Sequence, residues 1–308
     1  MRDAPRPFFT SKSYQLRFTP DGSALVAFAR DLAVWSIPLR KKIAFGHRLK
    51  HIAFVDVSPT GSSVLLKSTS GAMCVLSLPA LNAIQSFPVQ PESEGCQALF
   101  SPCGNYVIDG SWSGLLTTRD LKTSELSTWD RHDRTLIVSL CSTTDRALFA
   151  YVVQPITKNR VDPPEPSRIV LRRWPFDRHE AEIIQSNWGY VLAISLSPNG
   201  GKLAVLQIHK SGEFTLGVHS LSGDLKVQSR TVLWGGTNYS LAWSPNGATI
   251  ACVESGQISL YDCTTMSPVA KQSVPYPSHV EFSPNGELLA IGSWEQGLVV
   301  RIEDLERA

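Results

Sequence analysis

Phe282-Ser283-Pro284-Asn285-Gly286-Glu287-Leu288-Leu289-Ala290-Ile291-Gly292 is a tight turn followed by an apolar run, and the chain rewrites it from end to end. Proline fixes φ near the value the first corner of a turn needs, and Asn or Asp before Gly tolerates positive φ. Ser or Thr ahead of the proline can bond its hydroxyl to the turn backbone. Near-copies occur at Thr19-Pro20-Asp21-Gly22, Ser58-Pro59-Thr60-Gly61, Ser101-Pro102-Cys103-Gly104, Ser197-Pro198-Asn199-Gly200 and Ser244-Pro245-Asn246-Gly247. An eroded copy is read at Ser142-Thr143-Thr144-Asp145 from the apolar run behind it. The second turn positions are then 20, 59, 102, 143, 198, 245 and 284, which makes seven units of roughly 40 residues.

Each turn sits between strand-like runs. Leu16 and Phe18 alternate with polar residues before the first turn, and Ala24 to Ala29 follows it. The run after each turn is almost continuously apolar, which implies burial on both faces. A third and a fourth strand follow: Leu32 to Ile37 and Lys42 to Phe45 in unit one, Ala72 to Leu78 and Ala83 to Phe87 in unit two. Four short strands per unit, repeated with turn signals between them, predict an all-β, seven-bladed β-propeller of four antiparallel strands per blade. Residues 1–308 form one domain in this reading. Residues 155–167, with Pro155, Pro163, Pro164 and Pro166, are an extended loop inserted in blade four, because proline is excluded from central strands. A domain boundary there is the competing reading. The last unit lacks an outer strand, and Arg6 to Ser11 is expected to supply it and close the ring.

Composition agrees with a large core. Hydrophobic residues make up 43% of the chain and charged residues 18%, fewer than is usual. With 29 basic and 27 acidic residues the net charge is +2, which gives no global reason to expect nucleic acid or anionic lipid. The six cysteines form no CxxC pair, and those in apolar runs (Cys74, Cys141, Cys252) read as small hydrophobes. Residues 1–13 hold no apolar signal core, and no run reaches the ~18 apolar residues of a membrane span. A soluble, cytoplasmic protein is expected.

The repeat resembles the WD-repeat β-propeller family in a degenerate form, over essentially the whole chain. Asp31 precedes the third strand of unit one, and Trp35-Ser36 stands where Trp-Asp is usual. Arg119-Asp120 and Tyr261-Asp262 occupy the same place in units three and six, and Gly46-His47 matches the Gly-His that opens a repeat. No repeat holds the family's full His, Asp, Ser and Trp set. The resemblance implies that partners bind on the face opposite the turns, formed by loops entering each inner strand and loops joining second and third strands.

Those loops carry Arg30, His47, Arg48, Trp112, Arg131, His132, Arg134, Arg160, Trp188, Tyr190, His209, Lys210, Trp234, Tyr239, Tyr276, Trp294 and Glu295. Trp112 and Trp294 share one slot, in Gly110-Ser111-Trp112-Ser113-Gly114 and Gly292-Ser293-Trp294-Glu295-Gln296-Gly297. Trp, Tyr and Arg are enriched in binding hot spots, although each aromatic could instead pack between blades. GxSxG, HExxH, P-loop and dinucleotide-binding patterns are absent, so no catalytic residue or cofactor is expected. His47 and His51 are four apart, which is helix spacing at a loop, so no metal is expected either. Asp130, His132 and Asp133 read as a solvated turn. The expected function is a non-catalytic scaffold that binds a protein or peptide on the loop-rich face. The rivals are a hydrolase or lactonase-like enzyme at the central channel, and a nucleic-acid subunit using Arg131, Arg134, Arg160 and Lys210. The ring-closure expectation has a direct check: deleting residues 1–12 should lower the thermal midpoint markedly, and an unchanged midpoint would refute it.

Overall fold

In the turn Ser283–Gly286 the Gly286 N–H donates to the Ser283 carbonyl at 2.9 Å, and the Leu288 N–H donates to Ser283 Oγ at 2.9 Å. Asn285 Oδ1 accepts from the Glu287 N–H, and Gly286 has φ +74°, which glycine adopts without strain. These bonds fold the inner strand Pro277–Phe282 back against Leu288–Ser293 as an antiparallel hairpin. A Cβ on Gly286 would lie 3.5 Å from Pro245 of the preceding turn, and one on Gly22 would lie 3.6 Å from Pro284. Successive turns therefore pack on one another around one face.

A computed structural model describes residues 12–29, 31–46, 49–95, 97–156, 166–177, 181–184, 188–221, 227–232 and 239–307. It shows a seven-bladed β-propeller. Blade one is Gln15–Phe18, Ala24–Phe28, Leu32–Ser36 and Lys41–Phe45. Blade two is Ile52–Val57, Ser63–Ser68, Met73–Ser77 and Ala83–Phe87. Blade three is Gln97–Phe100, Tyr106–Gly110, Leu115–Asp120 and Leu126–Arg131. Blade four is Thr135–Ser142, Leu148–Pro155, Arg168–Arg173 and Ala181–Ile184. Blade five is Tyr190–Leu196, Lys202–Ile208, Phe214–Ser220 and Val227–Thr231. Blade six is Leu241–Trp243, Thr249–Glu254, Gln257–Asp262 and Pro268–Ser273, and blade seven is Pro277–Phe282, Leu288–Ser293 and Leu298–Arg301. Strands within a blade pair antiparallel in chain order, and each inner strand neighbours the inner strands of the blades beside it.

The core lies between blades. Val26, Phe28 and Leu32 of blade one pack on Ile52, Val55, Val64 and Leu66 of blade two, and the second strand of blade four is buried along its whole length. The Asp of the degenerate Trp-Asp position is a turn lock. Asp120 Oδ1 accepts from the Lys122 and Thr123 N–H groups, and Asp262 Oδ1 from those of Thr264 and Thr265.

Several expectations need correction. The eroded turn is Thr143-Thr144-Asp145-Arg146, one residue later than read. Thr143 Oγ1 accepts from Leu148, Asp145 Oδ1 from Ala147, and Arg146 takes the glycine position at φ 56°. A Thr where proline was expected hid the register. Pro155 belongs to the second strand of blade four, opposite Thr135, where its missing N–H is tolerated at the strand end. Among the described residues the last unit does have three strands, and the chain end, Glu306–Arg307, instead adds a fifth strand to blade six beside Pro268–Ser273. The proposed closing segment, Arg6 to Ser11, lies outside the described residues, as does most of the 155–167 loop. Ser13 bridges to Ser293 at the end of the second strand of blade seven, not to its outer edge, through paired backbone bonds at 3.2 and 2.7 Å.

Two buried polar groups carry stability consequences. Lys67 of blade two is fully buried, and its ammonium pairs with Asp109 of blade three and donates to the Gly110 carbonyl at 3.1 Å. Lys67→Met should cost about 3–5 kcal/mol by stranding the carboxylate, while Lys67→Met with Asp109→Leu should recover most of that loss in chemical denaturation. His219 is buried in blade five against Trp188, with ring centroids 4.7 Å apart, and burial pushes its pKa down to about 4. The unfolded chain takes up this proton below about 6.5, so the contribution is intact above that pH and is lost as pH falls toward 4. At about 1.4 kcal/mol per unit this is worth roughly 3 kcal/mol. His219→Leu should flatten the loss of unfolding free energy over that window, with His132 and His279, shifted the same way, supplying the remaining slope.

Candidate binding face and central channel

Trp112 and Trp294 follow the second strands of blades three and seven, and the same local chemistry presents both. Ser111 Oγ accepts from the Ser113 and Leu115 N–H groups, and Ser293 Oγ from those of Glu295 and Gln296. Each serine curls its loop and turns the tryptophan toward the ring axis. The Trp112 N–H donates to the Glu94 carbonyl at 2.6 Å, and the Trp294 N–H to that of Tyr276 at 3.1 Å. In both cases the loop entering the inner strand anchors the slot. The side chains remain 37% and 38% exposed, and both line the central channel. Trp294 is further held by Tyr14, whose ring centroid is 3.9 Å away.

The channel encloses about 790 Å³ and is walled by the inner strands. An inner strand pairs on one edge only, so its other edge offers N–H and C=O groups that need partners. Side chains of neighbouring inner strands supply them. Gln15 bonds the Ala53 carbonyl and Val55 N–H at 2.9 and 3.0 Å, and Asp56 accepts from the Phe100 N–H at 2.8 Å. Gln97 accepts from the Leu140 N–H, Ser139 from Ile194, and Ser240 from Val280. Trp243 Nε1 donates to the Ser195 carbonyl at 2.9 Å, and Glu281 accepts from the Phe18 N–H at 3.0 Å. All seven junctions carry such a tie.

The channel's charges extend these ties. Arg17 donates to Glu281 at 2.8 Å and to the Val55 carbonyl, and Arg146 reaches under blade three to Asp56 at 2.6 Å and to the carbonyls of Phe100 and Val57. Burial alone would lower the Arg17 pKa, but Glu281 and Asp56 hold it above its ordinary value. Burial pushes the Glu281 carboxyl up, only partly offset by Arg17. His279 differs from the rest. Its Nδ1 is buried with no partner, and burial, with Arg17 beside it, keeps the ring neutral.

Topology puts the other described candidates on the same loop face, in three different conditions. Tyr276 is 60% exposed at φ 46°, and Arg131, Arg134, Lys210 and Glu295 are exposed, Arg131 paired with Glu92 at 3.1 Å. Tyr190 and Tyr239 line the channel, Tyr190 almost wholly buried. Trp188 is core at 5% exposure, donating to the Ile184 carbonyl, and His209 bonds Thr215 at 2.7 Å. Arg30, His47, Arg48, Arg160 and Trp234 lie outside the described residues. Asp130 is not part of a solvated turn. It forms a two-pronged pair with Arg172 of blade four at 2.6 Å and accepts from Tyr151, with His132 3.4 Å from that hydroxyl. Burial would raise the Asp130 carboxyl, but Arg172 and Tyr151 hold it below the usual range. The sequence reading missed the polar channel set, Gln15, Arg17, Asp56, Gln97, Ser139, Ser240, His279 and Glu281. Its signal was there as the polar half of the alternation in the inner strands.

Among the described residues no group of three or more His, Cys, Asp or Glu is placed to hold a metal, and no helix is long and apolar enough to cross a membrane. The chain matches no protein-family profile and no curated protein sequence. It is similar in structure to a chain of hydrazine synthase from Kuenenia stuttgartiensis, with a TM-score of 0.78 and 13% identity over 98% of each chain. It is also similar to the β-propeller domain of Cps50 (Swd1) from Myceliophteria thermophila, with a TM-score of 0.73 and 12% identity over 95% of this chain and 99% of that one. At such identities the likeness is one of fold, the seven-bladed β-propeller.

Proposed function

We propose that the protein is a WD-repeat-like, non-catalytic scaffold that binds a protein or peptide segment across the mouth of its channel on the loop face. The observation that carries this reading is the pair Trp112 and Trp294. Two blades present a large aromatic from one slot, on one backbone anchor, half out of the surface at one cavity. Rigid aromatics contribute large contact area for little lost side-chain entropy, and loops held on a rigid ring present them reproducibly.

The enzyme reading has one observation in its favour, the ionisable groups along the channel. Arg17, Asp56, Arg146 and Glu281 are nevertheless engaged with one another and with neighbouring backbone, which leaves them a structural task. Nucleic-acid binding is disfavoured by the near-neutral charge and by the Glu92 partner of Arg131.

Trp112→Ala with Trp294→Ala should lower the thermal midpoint, because each ring is more than half buried and Trp294 packs on Tyr14, yet leave a cooperatively folded β protein. The same variant should lose most of the proteins retained by the wild type in affinity capture from the native cell extract. Full retention with an intact fold would reject this face.

A further inference from the structure

Lys202 opens the second strand of blade five, and Cys263 follows the third strand of blade six. Across the boundary between the blades, Lys202 Nζ lies 3.4 Å from Cys263 Sγ. The sulfur is held from the other side by the Gly247 carbonyl at 3.1 Å, and the Asp262 carboxylate lies close enough to Lys202 to feel its charge. An amine and a thiol are thus fixed in contact on two separate sheets. Cys263 is only 5% exposed, so reagents larger than a peroxide or water are largely kept from it. Cys103, exposed in the turn of blade three, has the Ser101 hydroxyl at 3.3 Å, which offers no nitrogen.

We propose that Lys202 and Cys263 are an oxidative cross-linking site, in which hydrogen peroxide joins blades five and six through a sulfenamide bond. In the first step the Cys263 sulfur attacks one peroxide oxygen. The O–O bond breaks, an S–O bond forms, and one water leaves, giving a sulfenic acid. The sulfur is oxidised by two electrons and the peroxide is reduced by two. In the second step the Lys202 ammonium gives one proton to solvent, and the Nζ lone pair attacks Sγ. The S–O bond breaks as the S–N bond forms, and the hydroxide leaves with a second nitrogen proton as water. One thiol, one ammonium and one peroxide become one sulfenamide, two waters and a proton. Once the protein is unfolded or digested, a thiol reverses the link by attacking the sulfur and releasing the amine. The fixed contact between nitrogen and sulfur favours closure over further oxidation, because the nucleophile is already in place. The site does not depend on the proposed binding face.

Treatment with hydrogen peroxide, digestion without reductant and mass spectrometry test the site. The expected product is a joined pair of peptides containing Lys202 and Cys263, lighter by two hydrogen atoms than their sum and separated again by dithiothreitol. Lys202 should also become resistant to trypsin. Lys202→Gln should abolish the joined pair and let Cys263 proceed to sulfinic acid. Lys202→Arg, which keeps the charge but not the amine, should behave the same way and serves if the Gln variant folds poorly. The proposal is overturned if wild-type Cys263 becomes sulfinic acid with Lys202 unlinked. It is equally overturned if Cys263 stays reduced under peroxide that fully oxidises Cys103.

Discussion

The structure depends on how its inner strands satisfy their unpaired edges. In a flat sheet a neighbouring strand would accept those N–H and C=O groups, but in a ring of splayed blades the next backbone is too far away and wrongly oriented. Side chains cross the gap instead. Gln15, Asp56, Gln97, Ser139, Ser240 and Glu281 each reach a backbone group of the adjacent blade, and Trp243 does the same in the opposite direction. A buried backbone group left without a partner costs as much as a lost hydrogen bond or more, so these ties hold the channel open at one width.

This requirement also divides the faces of the ring. One face belongs to the turns, where proline of one blade meets glycine of the next and little sequence variation fits. The channel wall belongs to the ties. The loop face has neither duty, and large aromatics appear there in a slot that holds Thr69 in blade two and Lys210 in blade five. Arg146 shows how a departure from the repeat is absorbed. Losing glycine in the turn of blade four imposes a positive φ on a bulky residue. The side chain that comes with it binds Asp56 and two carbonyls beneath blade three.

Charge follows the same division. Lys67–Asp109 and Arg172–Asp130 lie between blades, paired and hydrogen-bonded, which is how charge is tolerated out of water. Such pairs align one sheet on the next more than they add net stability. Trp188 and His219 illustrate the apolar counterpart, an aromatic of the loop face drawn into the core between Ile184 and the third strand of blade five.

The repeat alone determined the number of blades, all but one of the described strands and the face on which each loop emerges, because turn chemistry and hydrophobic period act over a few neighbouring residues. The shared slot of Trp112 and Trp294 was legible for the same reason. The register of the fourth turn was not, since Thr143-Thr144-Asp145-Arg146 keeps the hydroxyl and carboxylate but neither the proline nor the glycine. Asp130 looked like part of a polar turn because its partner Arg172 is a blade away. Only the tertiary structure could decide which rim aromatics stay in solvent, which polar residues tie the inner strands, and that Lys202 meets Cys263. Each is a contact between blades, set by how seven sheets close into a ring and invisible to the local sequence of any one of them.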